Sequence, residues 1–191
     1  MKISNFKDKT GFTLLETIIA VFVVTVGLIG IFISIQNLNK YISEVSDKLI
    51  ASYLAQEGLE IIRNIRDTNW IESENPENPD NSWDEGLSTN CINGCEVDYF
   101  CTTVEDPNSI NPQDHNCLKS YDAGQFLKID SNGFYNYTEG SNTKFKRKIT
   151  ITKESIPNTE DYALLIKAEI FRNYEIKPIV EVMEKLYNWK E

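Results

Sequence analysis

"GFTLLETIIAVFVVTVGLIGIFISI", residues 11–35, decides how the whole chain must be read. From Phe12 to Ile35 there are 24 residues and a single charge, Glu16. As a helix this run is about 36 Å long, enough for a hydrocarbon core of about 30 Å. A carboxylate inside such a span costs about 2.5–3.5 kcal/mol on insertion scales. The placement of Glu16 therefore asks for a compensating partner. The run exceeds the 7–15 apolar residues of a conventional secretory signal, and no A-x-A-like cleavage site follows it.

Working outward, the leader before Phe12 holds Lys2, Lys7 and Lys9 against Asp8, whereas the full chain carries 29 acidic and 19 basic residues for a net charge of −10. A basic stub before the span and an acidic remainder predict a cytoplasmic N-terminus, with the bulk of the chain beyond the membrane. So acidic an exterior argues against the phosphate neutralisation that nucleic-acid binding requires, so no nucleic-acid partner is expected. At 191 residues, the span leaves room for at most one ordinary domain.

The helical pattern continues past the span. Leu38, Ile42, Val45, Leu49 and Tyr53 recur at helical spacing, with Ile50, Leu54, Ile61 and Ile65 in an adjoining stripe. No proline interrupts residues 12–66, which predicts one continuous helix. Residues 69–120 then change character: "NWIESENPENPDNSWDEG" is rich in Asn, Pro and acid and reads as loop. Cys91, Cys95, Cys101 and Cys117 follow in this insertion. An even count in an exported domain predicts two disulfides, with three connectivities open. A four-thiolate zinc site lacks its paired C-x2-C spacing, because the gaps are three, five and fifteen residues. The acid-rich loops show no 12-residue calcium pattern. Neither a metal nor another cofactor is expected.

From residue 121 the signal is β. Asn132-Gly133 marks a hairpin. "TKFKRKITITKE" alternates, with Phe145, Ile149 and Ile151 assigned to one face and Lys146, Lys148 and Thr150 to the other. Two further strands are expected at roughly 162–172 and 178–187, giving four or five antiparallel strands with the second half of the long helix as their lid. The expected architecture is thus α+β, with a leader at 1–11, a transmembrane half-helix at 12–35, an amphipathic half at 36–68, the insertion at 69–120 and the sheet at 121–191. No enzyme is expected: the single histidine, His115, lies in the insertion, and neither a phosphate-binding glycine loop nor a metal-spaced His/Glu set appears.

"GFTLLE", after a short basic leader and before a long apolar run, resembles the class III signal of type IV pilins and pseudopilins. The resemblance implies cleavage by a prepilin peptidase between Gly11 and Phe12 and N-methylation of Phe12. It also implies an assembly role for Glu16, whose carboxylate approaches the Phe12 amine of a neighbouring subunit and is compensated only there. "GLIG", "ASYLAQEGLEIIRNIRDTNW" and the closing "LYNWK" are similar to V-type minor pilins (type IV pilus modification proteins) and to the related I-type pseudopilins of type II secretion. The implied partners are other pilin subunits, the peptidase, inner-membrane lipid and, indirectly, the assembly platform and its ATPase. The implied location is the inner membrane, then a filament. Major pilins often carry a proline within the membrane helix and a C-terminal disulfide loop; here there are Gly27 and Gly30, and mid-chain cysteines. That favours a minor pilin, with a secretion pseudopilin as the alternative and a simple membrane-anchored extracytoplasmic binding domain as the remote one.

Overall fold

The computed structural model describes residues 11, 13–73, 82–97, 99 and 118–188. It divides into two units, Met1–Ser46 and Asp47–Glu191. The α+β architecture expected from the sequence is present: a long N-terminal helix packs, through the part that belongs to the second unit, on antiparallel sheet.

Helix α1 runs from Leu14 to Ser73, five residues past the expected end at 68. Trp70 and Asn69 hold this extra turn: the Trp70 indole donates to Asn188 Oδ1 at 3.2 Å, and the Asn69 amide donates to the Glu85 carbonyl at 2.9 Å. After a short helix α2 (Leu87–Cys91) come β1 (Cys95–Glu96), β2 (Lys119–Ser120), β3 (Lys128–Ile129), β4 (Tyr135–Asn136) and β5 (Ser141–Asn142). Three longer strands follow: β6 (Phe145–Ser155), β7 (Tyr162–Arg172) and β8 (Val180–Tyr187). The two last match the expected strands closely. The insertion is not wholly loop, however. Its Cys95–Glu96 segment pairs with β6 and with β2, giving a five-stranded order β2-β1-β6-β7-β8. Two-residue strands leave no periodicity to read, because alternation needs at least four positions.

The Asn132-Gly133 hairpin forms as expected, with Gly133 at φ +90°, a left-handed conformation that a Cβ would strain. Asp130 closes it by accepting hydrogen bonds from the amides of Asn132 and Phe134. This hairpin does not join the main sheet; β4, β3 and β5 make a separate three-stranded one.

The core lies between α1 and the main sheet. Ala51, Leu54, Ala55, Leu59 and Ile62 face Ile149, Ile151, Leu164, Ile166 and Ile170, all at most 6% exposed. The stripe Leu38, Ile42, Val45, Leu49 and Tyr53, by contrast, is 46–64% exposed. The burying face is built from small residues because the helix comes close to the sheet. At Gly58 an added Cβ would lie 2.9 Å from Ile149 Cδ1 and 3.0 Å from Arg147 Cδ.

Phe145, Ile149 and Ile151 share the inner face of β6 as expected, and Arg147, left unassigned by the sequence pattern, joins them and is fully buried. Its guanidinium donates to the Leu54 carbonyl at 3.0 Å, to Glu57 Oε2 at 3.0 Å and to the Val97 carbonyl at 2.5 Å. One side chain thus braces α1, β6 and the exit of β1. A buried cation is tolerated only with such partners. At the free edge of the sheet, β8 turns Glu184 inward to Arg63 at 2.6 Å. An inward charge of this kind discourages strand addition at an open edge.

Candidate functional site

The residues that carry the candidate chemistry occupy the first turn of α1 and the strand of sequence just before it. Gly11 is non-helical and exposed, and a Cβ built there meets nothing within 4 Å. The helix begins at Leu14, so Thr13 is its N-cap. The Thr13 hydroxyl accepts from the Glu16 amide at 3.3 Å, and the Thr13 carbonyl accepts the first helical bond, from the Thr17 amide, at 3.2 Å. Thr13-Leu14-Leu15-Glu16 has the T-x-x-E spacing of a capping box, and one arm of that box is formed. Glu16 sits at N3, where a carboxylate is favoured by the positive end of the helix dipole. That interaction offsets part of the cost of placing it at a membrane margin. Phe12 lies outside the described residues.

Beyond the first turn the helix is bare. From Leu14 to Ile35 the large apolar side chains are 52–77% exposed. Among the described residues, α1 is the helix long and apolar enough to cross a membrane. Its hydroxyls are already satisfied for that setting. Thr17 donates to the Leu14 carbonyl at 2.8 Å, Thr25 to Val21 at 2.7 Å and Ser34 to Gly30 at 3.0 Å. In hydrocarbon, where water is absent, a polar group needs such an internal partner. Gly27 and Gly30, with Ser34, leave a shallow furrow on this unit bounded by Val26, Ile31 and Leu38.

Residues 6–32 match the Prokaryotic N-terminal methylation motif. The match spans the leader's end, Gly11, Phe12, Glu16 and most of the apolar run, so the prepilin-type signal is present as the sequence indicates. No curated protein and no solved structure matches the chain. The motif and the apolar helix support membrane anchoring of a pilin-like processed subunit. The motif implies processing by a prepilin peptidase and assembly with other pilins.

The cysteines divide. Cys91 and Cys95 form a disulfide that clips the end of α2 to β1, and both are fully buried. Cys101 and Cys117, like His115, lie outside the described residues. Within the second unit the notable titratable group is Glu96, 3% exposed, which accepts from the Asp122 amide at 3.1 Å. Burial pushes its carboxyl up to about 7, more than that hydrogen bond lowers it, and the nearby Asp122 charge adds to the rise. Burial also acts to raise Asp47, but its bonds to Lys144 and Arg172 outweigh that and hold its carboxyl below the usual range. Asp84 behaves alike, held down by Lys153 and Ser82 against its burial.

The sequence singles out Gly11, Phe12 and Glu16, all within the matched motif, but gives no prominence to Thr13, Arg147 or Asp47. The T-x-x-E spacing was a usable signal for Thr13. For Arg147, strict period-two counting along "FKRKITI" would have forced it inward between Phe145 and Ile149. Asp47 pairs with residues about a hundred positions away, and no local pattern announces such a contact.

Proposed function

We propose that the chain is a structural subunit, of the minor-pilin kind, of a type IV pilus-like filament. The methylation motif running straight into an uncovered apolar helix carries this reading. Prepilin peptidase removes residues 1–11 on the cytoplasmic side and Phe12 becomes the N-methylated first residue. In the filament, Glu16 meets the Phe12 amine of a neighbouring pilin subunit. A carboxylate costly beside lipid alone then favours assembly and sets axial register. The second unit is carried outside the inner membrane, and its role is display rather than catalysis.

The choice of minor pilin over type II secretion pseudopilin rests on the stretch between Val97 and Leu118. It belongs to the acid-rich, cysteine-containing insertion at 69–120, which a secretion pseudopilin with a short outer domain would not need. An insertion of this length and polarity suits a subunit that displays a surface.

The test is the N-terminal mass of the full-length protein co-expressed with a prepilin peptidase. A chain beginning at N-methyl-Phe12, lost on substitution of Gly11, is expected. An intact Met1 overturns the reading. Recovery of the processed protein in sheared surface fibres supports the pilus assignment, and recovery only with the secretion apparatus reassigns it to a pseudopilin.

A further inference from the structure

We propose that Asn132 is a self-modification site: it deamidates through the Gly133 amide, at a rate set by how firmly Asp130 holds the turn. The inference goes beyond the filament reading and does not depend on it.

An asparagine followed by glycine is open to this reaction because no Cβ shields the glycine nitrogen. The Gly133 nitrogen gives its proton to solvent base and attacks Asn132 Cγ. The Cγ–Nδ2 bond breaks, ammonia leaves, and a cyclic imide joins the two residues. Water then opens either C–N bond of the imide ring, giving aspartate or, with the chain rerouted through the side-chain carboxyl, isoaspartate.

The sequence holds two such pairs, Asn93-Gly94 and Asn132-Gly133, and the fold treats them differently. Gly94 is buried, and a Cβ added there would run into the Lys148 side chain. Its amide donates to the Cys91 carbonyl at 3.1 Å, and its carbonyl accepts from the Tyr121 amide at 3.1 Å. The Cys91–Cys95 bridge closes the loop around it. Asn132 and Gly133 are instead both exposed, with nothing within 4 Å of a Cβ added at Gly133. Asp130 holds their turn. Its carbonyl accepts from the Gly133 amide at 3.2 Å, and its Oδ1 accepts from the Asn132 and Phe134 amides at 2.8 and 2.9 Å. While the Gly133 N–H is bound, its proton is withheld from solvent base. Opening the turn releases it, and opening is easiest where backbone is exposed and little packs on it. Asp130 thus acts as a positioning residue that takes no part in the chemistry. Isoaspartate at 132 would lengthen the backbone of the turn that aligns Ile129 with Tyr135.

The full-length oxidised protein in detergent micelles, incubated in mildly alkaline buffer and followed by peptide mapping with mass spectrometry, tests this. Acid is expected to accumulate at Asn132 about fivefold or more faster than at Asn93, the latter held by its buried loop. In the reduced, urea-unfolded chain the two rates are expected to converge. Asp130→Ala removes the side-chain acceptor and is expected to speed Asn132 about fivefold, the scale of a lost hydrogen bond, with Asn93 unchanged. Asp130→Asn keeps an acceptor oxygen and is expected within about twofold of the wild type. Asn132 left intact in the folded wild type, or Asn93 reacting as fast, overturns the proposal. So does an Asp130→Ala form with Asn132 unchanged, or one in which both asparagines accelerate alike, since the effect is then not local to the turn.

Discussion

On one helix, Leu38, Ile42 and Val45 are 56%, 56% and 46% exposed, while Ala51, Leu54, Ala55 and Ile62 are at most 2% exposed. The large apolar residues up to position 46 face outward. After position 47, Ala51, Leu54, Ala55, Gly58, Leu59 and Ile62 are buried against a sheet. The first stretch is built for a medium that the chain does not supply, lipid or neighbouring subunits. The second carries its own solvent shield. Apolar side chains therefore mark different things on the two stretches: an unmet need in one and a met one in the other.

The comparison breaks most decisively at Arg147. Arg147→Ala strips hydrogen bonds from the Leu54 and Val97 carbonyls and leaves Glu57 without its buried partner. A loss of about 3–5 kcal/mol is expected, seen as a much lower melting temperature of the full-length protein in detergent micelles. Retention of wild-type stability would show that the guanidinium does not brace the second unit. Next comes a pair of glycine substitutions. Gly58→Ala is expected to cost about 1–3 kcal/mol by overpacking Ile149 and Arg147. Gly27→Ala and Gly30→Ala, with nothing within 4 Å, should instead stabilise the isolated subunit by up to about 1 kcal/mol through helix propensity. Equal effects at all three positions, measured in the same melts, would erase the contrast between the stretches.

Reduction of Cys91–Cys95 is expected to cost about 2 kcal/mol, as a short closed loop restricts the unfolded chain little. Disulfide mapping by mass spectrometry checks the pairing directly, and any other partner for Cys91 contradicts it. The remaining effect is with pH. Glu96, raised to about 7, favours the folded state while protonated. Its contribution is full below the ordinary glutamate value and is lost as pH rises to about 7. Asp47 and Asp84, both lowered, act in the opposite sense: their contribution is lost as pH falls below the ordinary aspartate range. Glu96→Gln should flatten the melting-temperature profile on its neutral side only. A profile unchanged by that substitution would mean that Glu96 is ionised throughout.

The legible parts of the fold are those with a long local period. Strands β7 and β8, the Asn132-Gly133 turn and the apolar span all announce themselves within a dozen residues. The lid face of α1 is legible in part: Leu54 and Ile61 of the second stripe are buried, and Ile50 and Ile65 pack against the core. Leu49 and Tyr53 recur at helical spacing but belong to the outward side, while Ala51, Ala55 and Gly58 give no hydrophobic signal and are what the sheet accepts. In the candidate site, Gly11, Phe12 and Glu16 were readable because a processing signal is read locally, in sequence. Asp47, Arg147 and Glu96 gain their character from residues far along the chain, through burial and charge that no window contains.

The chain leaves β1 at Val97 and returns to the edge strand β2 from Leu118, so the two ends of the intervening sequence are held on paired strands. Doubling the length of such a segment adds only about 0.6 kcal/mol of closure cost. The number of residues between these two anchors can therefore change at small thermodynamic cost while β1 and β2 stay paired.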